Sequence, residues 1–462
     1  MKTVIAGGLV WYQGSLRRLD LSINEGKVEK LGPELDRTGA EVVDASGLWV
    51  LPGAIDPHVH LAESMAGVST ADDFFTGTRS AAAGGTTTII DFCEPQPGEA
   101  PLVALERRMQ QAEDAIIDYG FHFAFTEDYA RQLECIGRLW DAGITTFKAF
   151  LAYPGLALTP AALYAVLEAV GARGGMLLLH AELGDVADLL RNRYLGQPAR
   201  AHALSRPAFV ESAAIELALG LARAAGTRLY VVHVSSAAGL LALERARSRR
   251  QKVHGETCPH YLEFSTGHLE GPGGAAFIMS PPLREPEDAA ALWQGLKSGS
   301  LEVLATDHCP FPLEAKLGPS SFDAVPNGVG SLGLRPSYLF SAGVYGGRLG
   351  LGEFVRLTTE NPARLFGLWP QKGMLAPGSD ADLVLWDPSA TWTMSQGHQQ
   401  GGEDHSLYQG MEFAGQVAMT MARGDVIYCR DRGVCAPAGR GRYLVRGLPS
   451  PILRESRGAR LG

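Results

Sequence analysis

The sequence predicts an α/β fold: a (β/α)8, or TIM, barrel with a small β-sandwich built from the N- and C-terminal segments. Three observations lead there. In the middle of the 462-residue chain, eight apolar β-like runs alternate with helix-like segments. That is the pattern of a parallel sheet wrapped in helices, and eight such units imply closure into a barrel. No Gly-rich phosphate turn follows the first run, as a doubly wound open sheet would usually require. The two ends of the chain share a different texture of short strands and turns.

Taken in order, residues 1–52 read as short strands: TVIAGGLVW, LDLSINEGKVEKLG and EVVDASGLWVLPG, with a hairpin at Asn24-Glu25-Gly26. Residues 376–440 read alike, in GSDADLVLWDP and GQVAMTMARGDVIYC, so both segments are assigned to one sandwich. The barrel takes 53–375. Its strands are GAIDPHVH, TTTIIDFC, DYGFHFAF, GITTFKAF, MLLLHAE, RLYVVHVSS, KVHGETC and LEVLATDH. Helices are expected over 71–83, 101–117, 159–172, 208–225 and 236–249. Residues 441–462 form a polar tail with Pro and Gly.

Composition excludes several classes. The net charge is -9 and no basic cluster offers a grip on phosphate backbones, so no nucleic-acid partner is expected. No apolar run approaches the roughly 20 residues of a membrane span, and the N-terminal apolar stretch is short for a signal peptide. The six cysteines are scattered, with no CxxC pair, and read as reduced thiols. A cytoplasmic protein is expected.

The candidate chemistry lies at the ends of the apolar runs, where a barrel carries its active site. The first run ends in Asp56-Pro57-His58-Val59-His60. Alternate residues of a strand share a face, so His58 and His60 aim together into the mouth, a spacing that suits a metal. His180 and His233 end the fifth and sixth runs and add two imidazoles. Lysine is scarce, and only Lys148 sits in an apolar run, ITTFKAFLAY. A buried lysine is costly unless it pairs or loses its charge. Reaction with carbon dioxide would give an anionic carbamate able to bridge two metals. Asp307 ends the eighth run, as a candidate ligand and general base. His122 and His254 read as structural; His202, His268, His398 and His405 read as solvated.

These residues carry a resemblance. In PGAIDPHVH, TADDFFTGTRSAAAGGTTTIIDFC, IDYGFHF, FKAFLAY, HAE, LYVVHVSS, GETCPHYL, SPPLRE, TDHCPF and GSDADLVLWDP, the chain resembles the amidohydrolase superfamily, in its dihydropyrimidinase and D-hydantoinase branch. The resemblance implies two Zn2+ ions bridged by N6-carboxylated Lys148, one held by His58, His60 and Asp307, the other by His180 and His233. It implies that Tyr153 hydrogen-bonds the substrate and stabilises the oxyanion, and that Ser280 and Asn327 hold the ring amides through backbone groups. By analogy with the family's gating loops, Met65, Phe92 and Leu156 would form the pocket for the ring substituent. The implied reaction opens a dihydropyrimidine or 5-substituted hydantoin to an N-carbamoyl amino acid. The implied assembly is a homotetramer reached through the C-terminal tail.

Three positions depart from the pattern: Leu183 after HAE, the stretch PNGVGSLGLRP without an acidic pair before Arg335, and His260 in ETCPHYL. The last is more usual in allantoinases, so allantoinase is the alternative. Dihydroorotase is disfavoured, because Ala62 stands where that branch holds an arginine. A non-catalytic scaffold of the same fold is disfavoured because all six ligand positions are filled.

Overall fold

The computed structural model describes residues 2–65 and 67–452. Eight strands lie side by side, all parallel: β1 (Ala54–Val59), β2 (Thr86–Cys93), β3 (Asp118–Ala124), β4 (Thr146–Phe150), β5 (Met176–His180), β6 (Arg228–Val231), β7 (Val253–Thr257) and β8 (Val303–Leu304). A parallel bridge between Val59 and His308 joins the first strand to the chain leaving the last, so the sheet closes into the expected barrel.

Side-chain parity explains what faces inward. Leu177 and Leu179 pack with the surrounding helices, whereas Met176 and Leu178 join the interior cluster with Ile90, Phe92 and Tyr230. His180 continues the inward set of β5. In β4, Phe147 and Ala149 belong to the helix-facing core, so the strand's period of two turns Lys148 inward. The register between β1 and β2 shifts twice, and at the second shift, between the Asp56–Ile89 and Val59–Asp91 pairs, β1 holds one extra residue. That extra residue carries Ile55 and the later His58 to the same side.

The expected helices form at Phe74–Ala83, Pro101–Gln111, Pro160–Ala172, Ala208–Ala225 and Ala237–Ser248. The second ends earlier than the reading of 101–117, because Ala115, Ile116 and Ile117 are drawn into the core as the chain enters β3. No helix among the described residues is long and apolar enough to cross a membrane.

Both ends of the chain supply the sandwich. The antiparallel pairing of Leu383–Thr393 with Trp49–Pro52 lies inside a seven-stranded sheet. A four-stranded sheet holds Thr3–Ala6, Asp20–Asn24, Lys27–Gly32 and Glu41–Asp44. The hairpin at Asn24 is present, with Glu25 at φ 50° and Gly26 at φ 75°, the paired positive angles that a tight two-residue turn demands.

The start of the tail packs on its own barrel. Leu444 enters the barrel's interior cluster, and the buried Arg446 donates to Thr146 Oγ1 at 2.7 Å and to the Phe121 carbonyl. The start of the tail is thus held by its own chain; residues 453–462 lie outside the described residues.

Barrel and sandwich are stitched by a buried lysine. Lys372 Nζ lies 2.8 Å from Asp118 at the start of β3, 3.1 Å from Asp380 and 2.5 Å from Asp382. Breaking a buried ion network from one side costs about 3–5 kcal/mol, because the partner charges stay buried. Lys372→Met should therefore lower the urea midpoint of unfolding markedly. An unchanged midpoint would show that the three aspartates need no cation.

Candidate active site

His58, His60, Lys148, His180, His233 and Asp307 all line one cavity of about 240 Å³ at the C-terminal mouth of the barrel. On one side, His58 Nε2 is 3.0 Å and His60 Nε2 3.4 Å from the same oxygen of Asp307, and the two nitrogens are 3.3 Å apart. On the other side, His180 Nδ1 and His233 Nε2 face each other at 3.0 Å. Donor atoms of His58, His233 and Asp307 all fall within 4.8 Å of one another. Asp307 has φ 49°, His233 φ 39° and Tyr153 φ 76°. Such angles are rare away from glycine and concentrate at functional sites, where surrounding packing sustains the strain.

Electrostatics divides the imidazoles into two kinds. Burial opposes charge on His58, but Asp307 and Glu256 overcome it and push its pKa up to about 9. Burial holds His180 below its ordinary range and His233 well below, leaving the neutral imidazole that metals prefer. Against its own burial, Asp307 is held well below the usual carboxylate range by His58 and His60. Burial also draws Lys148 down to about 8. Its ammonium faces the rings of Phe92 and Phe150 at 4.8 and 5.0 Å and forms no ion pair among the described residues.

Two buried carboxylates orient these groups, and the sequence reading assigned neither. Glu256, on β7, accepts from His58 Nδ1 and from the Tyr230 hydroxyl at 2.7 Å. Glu182, the last residue of HAE, is bonded to His180 Nε2 at 2.9 Å and to Arg206 at 2.6 Å. With Nε2 donating to Glu182, Nδ1 of His180 keeps its lone pair toward His233. Such outer partners fix the tautomer and aim of metal-binding histidines. The available signal was period two: Glu256 is a charged residue inside an apolar strand run, and Glu182 shares the face of His180.

Tyr153, Ser280, Asn327 and Leu156 also line the cavity. Burial pushes the Tyr153 hydroxyl up to about 12, so it stays a proton donor. Asn327 Nδ2 donates to Ser280 Oγ at 3.1 Å. Phe92 is not in the wall: it is fully buried beneath the histidines, stacked on His60 at 4.7 Å and edge-on to His58 at 4.9 Å. As an inward residue of the β2 core it forms a floor. The side chain of Met65 lies outside the described residues.

The loops carrying Ser280 and Asn327 are fastened by two residues that sequence reading missed or misplaced. Lys316, fully buried, donates to the carbonyls of Ile278, Pro326 and Gly328 at 2.6, 2.9 and 2.9 Å. Three carbonyls match the three N–H donors of one ammonium. His202, expected to be solvated, is buried and donates to the Met279 carbonyl at 2.8 Å. Arg335 lies away from the substrate loops, buried against the carbonyls of Ile55 and Leu304 at 2.9 and 2.8 Å. His260 is buried outside the cavity wall, both ring nitrogens lacking a hydrogen-bond partner. His122 bridges Thr146 and the Pro57 carbonyl, as its structural reading anticipated.

The donor set fits metal cations. Two carboxylates around His58 call for positive charge, lone pairs of two neutral imidazoles converge opposite, and a buried amine of lowered basicity stands between them without a counter-ion.

Comparison with known proteins agrees. Residues 49–427 match the Amidohydrolase family. The chain is 40% identical over 465 residues to a D-hydantoinase of Geobacillus stearothermophilus, covering 98% of each sequence. It is 38% identical to a D-hydantoinase of Streptomyces coelicolor, covering 96% of this chain and 98% of that one. The solved dihydropyrimidinase of Brevibacillus agri superposes with a TM-score of 0.93 at 38% identity, covering 98% of this chain and all of that one. With a matching family model over most of its length and relatives this similar from end to end, the chain belongs to the amidohydrolase family.

Proposed function

We propose that this protein is a binuclear zinc hydrolase that opens small cyclic amides, dihydropyrimidines or 5-substituted hydantoins, to N-carbamoyl amino acids. The observation that carries the reading is the convergence of four imidazoles, Asp307 and an unpaired buried lysine on one cavity, in a chain whose relatives are named for these rings.

In this reading His58, His60 and Asp307 would hold one zinc, and His180 and His233 the other, with Lys148 as its carbamate supplying further oxygen donors. Its lowered basicity favours the free amine, whose nitrogen adds to carbon dioxide with release of one proton. Zinc bound there would polarise the ring carbonyl and supply a nucleophilic water at neutral pH. Asp307 takes the proton of the attacking water and passes it to the ring nitrogen as the C–N bond breaks. The Tyr153 hydroxyl donates to the carbonyl oxygen as it gains charge. Ser280 and Asn327 grip the ring amides through their backbones, and Leu156 faces the ring substituent. Phe92 keeps the histidines dry from below. The six cysteines, unpaired in the structure, accord with a cytoplasmic setting; the homotetramer belongs to the proposal as well.

Protein loaded with zinc in bicarbonate should open dihydrouracil and a monosubstituted hydantoin, with little turnover of allantoin or dihydroorotate, as followed by ultraviolet absorbance. A chelator should abolish turnover, and zinc with bicarbonate should restore it. Turnover of allantoin alone would replace the reading by allantoinase, and inertness toward every ring would remove it. Asp307→Asn should lower kcat by roughly 10²–10⁴-fold, the contribution of a positioned general base; a change below tenfold would reassign the base. Lys316→Met removes three charge-assisted bonds from the ring-binding loops. A loss near 1.4 kcal/mol of ground-state binding would raise KM about tenfold with kcat little changed. A fall in kcat alone would contradict a role in holding those loops.

A further inference from the structure

The proposed reaction leaves two carboxylates of the cavity wall unused. Glu63 and Glu94 line the cavity beside Ser64, Phe150 and Leu156. Glu63 pairs with Arg108 at 2.8 Å, but the same guanidinium also binds Asp91. The Glu94 side chain makes no hydrogen bond or ion pair among the described residues; only its backbone carbonyl is engaged, by Arg107 at 3.0 Å. Glu63 and Asp91 thus share the Arg108 guanidinium, and Glu94 is left without an ion pair among the described residues. Arg107, which reaches the Glu94 backbone, is itself paired with Glu99 at 2.9 Å, and Lys148 on the reading above gives up its charge as a carbamate.

We propose, resting on that reading, that the preferred substrate carries a cationic substituent on its ring, an ammonium or guanidinium on a short alkyl stem, taken up by Glu94 with Glu63 beside it. Phe150 and Leu156 supply the apolar surface for the stem, since long cationic side chains bury their methylenes and present only the head to a partner. Burial, only partly offset by Arg108, and the nearby Glu94 lift Glu63 to about 7; burial raises Glu94 also. Both acids therefore gain from a cation held close. The same wall disfavours a substrate with an anionic substituent, by like-charge repulsion in a partly desolvated site.

The test compares kcat/KM of the zinc-loaded enzyme for three hydantoins, bearing aminobutyl, pentyl and carboxypropyl chains. The aminobutyl ring should be favoured over the pentyl ring by about tenfold or more, a preference that weakens as salt is raised. Glu94→Gln should collapse that ratio toward one, and Glu63→Gln should reduce it. A wild-type ratio at or below one would overturn the inference. So would an equal loss on the aminobutyl and pentyl rings in Glu94→Gln, especially with lowered zinc content, since that would tie Glu94 to the metals. Turnover of the pentyl ring by the wild type tests the ring-opening reading separately. Inertness toward every ring would sink that reading, and this inference with it.

Discussion

The active site depends on the seam where the last barrel strand meets the first. His58 and His60 arrive on β1 and Asp307 on the chain leaving β8, so their meeting is only as precise as that closure. The seam carries few ladder bonds, because β8 itself is two residues long. Side chains replace them. Thr306 Oγ1 donates to Asp56 at 2.7 Å, the His60 amide donates to the His308 carbonyl at 2.8 Å, and Arg335 binds carbonyls on both strands. His308 in turn is bonded to Asp72 at 2.9 Å. These buried polar groups are bonded largely to one another, with Arg335 Nε held 3.6 Å from Asp56 by charge alone, and such networks rigidify a fold to the extent that their members are satisfied.

Above the seam, charge is arranged in opposition. Carboxylates stand around His58 and Asp307 draws on both β1 imidazoles, while His180 and His233 are kept neutral by burial. Lys148 lies between, over two aromatic faces and without an acid of its own. The carboxylates and the neutral imidazoles are thus well satisfied by a cation at the centre, whereas Lys148 would have to give up its charge beside one. That is the usual signature of a site whose residues serve chemistry at some cost to stability.

Much of this was legible in the chain because period two is a strong signal. The runs ending in His58, Lys148, His180, His233 and Asp307 each name a strand and its mouth-facing end. The hairpin at Asn24 was legible from turn chemistry. What escaped were side chains whose role depends on distant partners. Glu256 and Glu182 look like ordinary acids until His58 and His180 are set beside them. Lys316 sits in a short helix that reads as surface, and only the folded chain turns three carbonyls toward it. His202 was misjudged because helix context says nothing about what covers the helix. Phe92 was assigned to the pocket by analogy, but its strand parity sends it under the histidines.

The sandwich has a consequence for how the molecule comes into being. Trp49–Pro52 finds its partner in Leu383–Thr393, with the whole barrel sequence between them. Until that distant strand is available, the N-terminal sheet presents an unpaired apolar edge. Contacts of such long sequence separation form slowly, and open edges invite association with other chains in the meantime. The barrel shares the dependence, since Leu444 and Arg446 seal its lower end from the far side of the sequence. Production of this protein should accordingly be governed by the traffic of partly folded chains, with chaperone supply and temperature during synthesis setting the yield more than the stability of the finished fold.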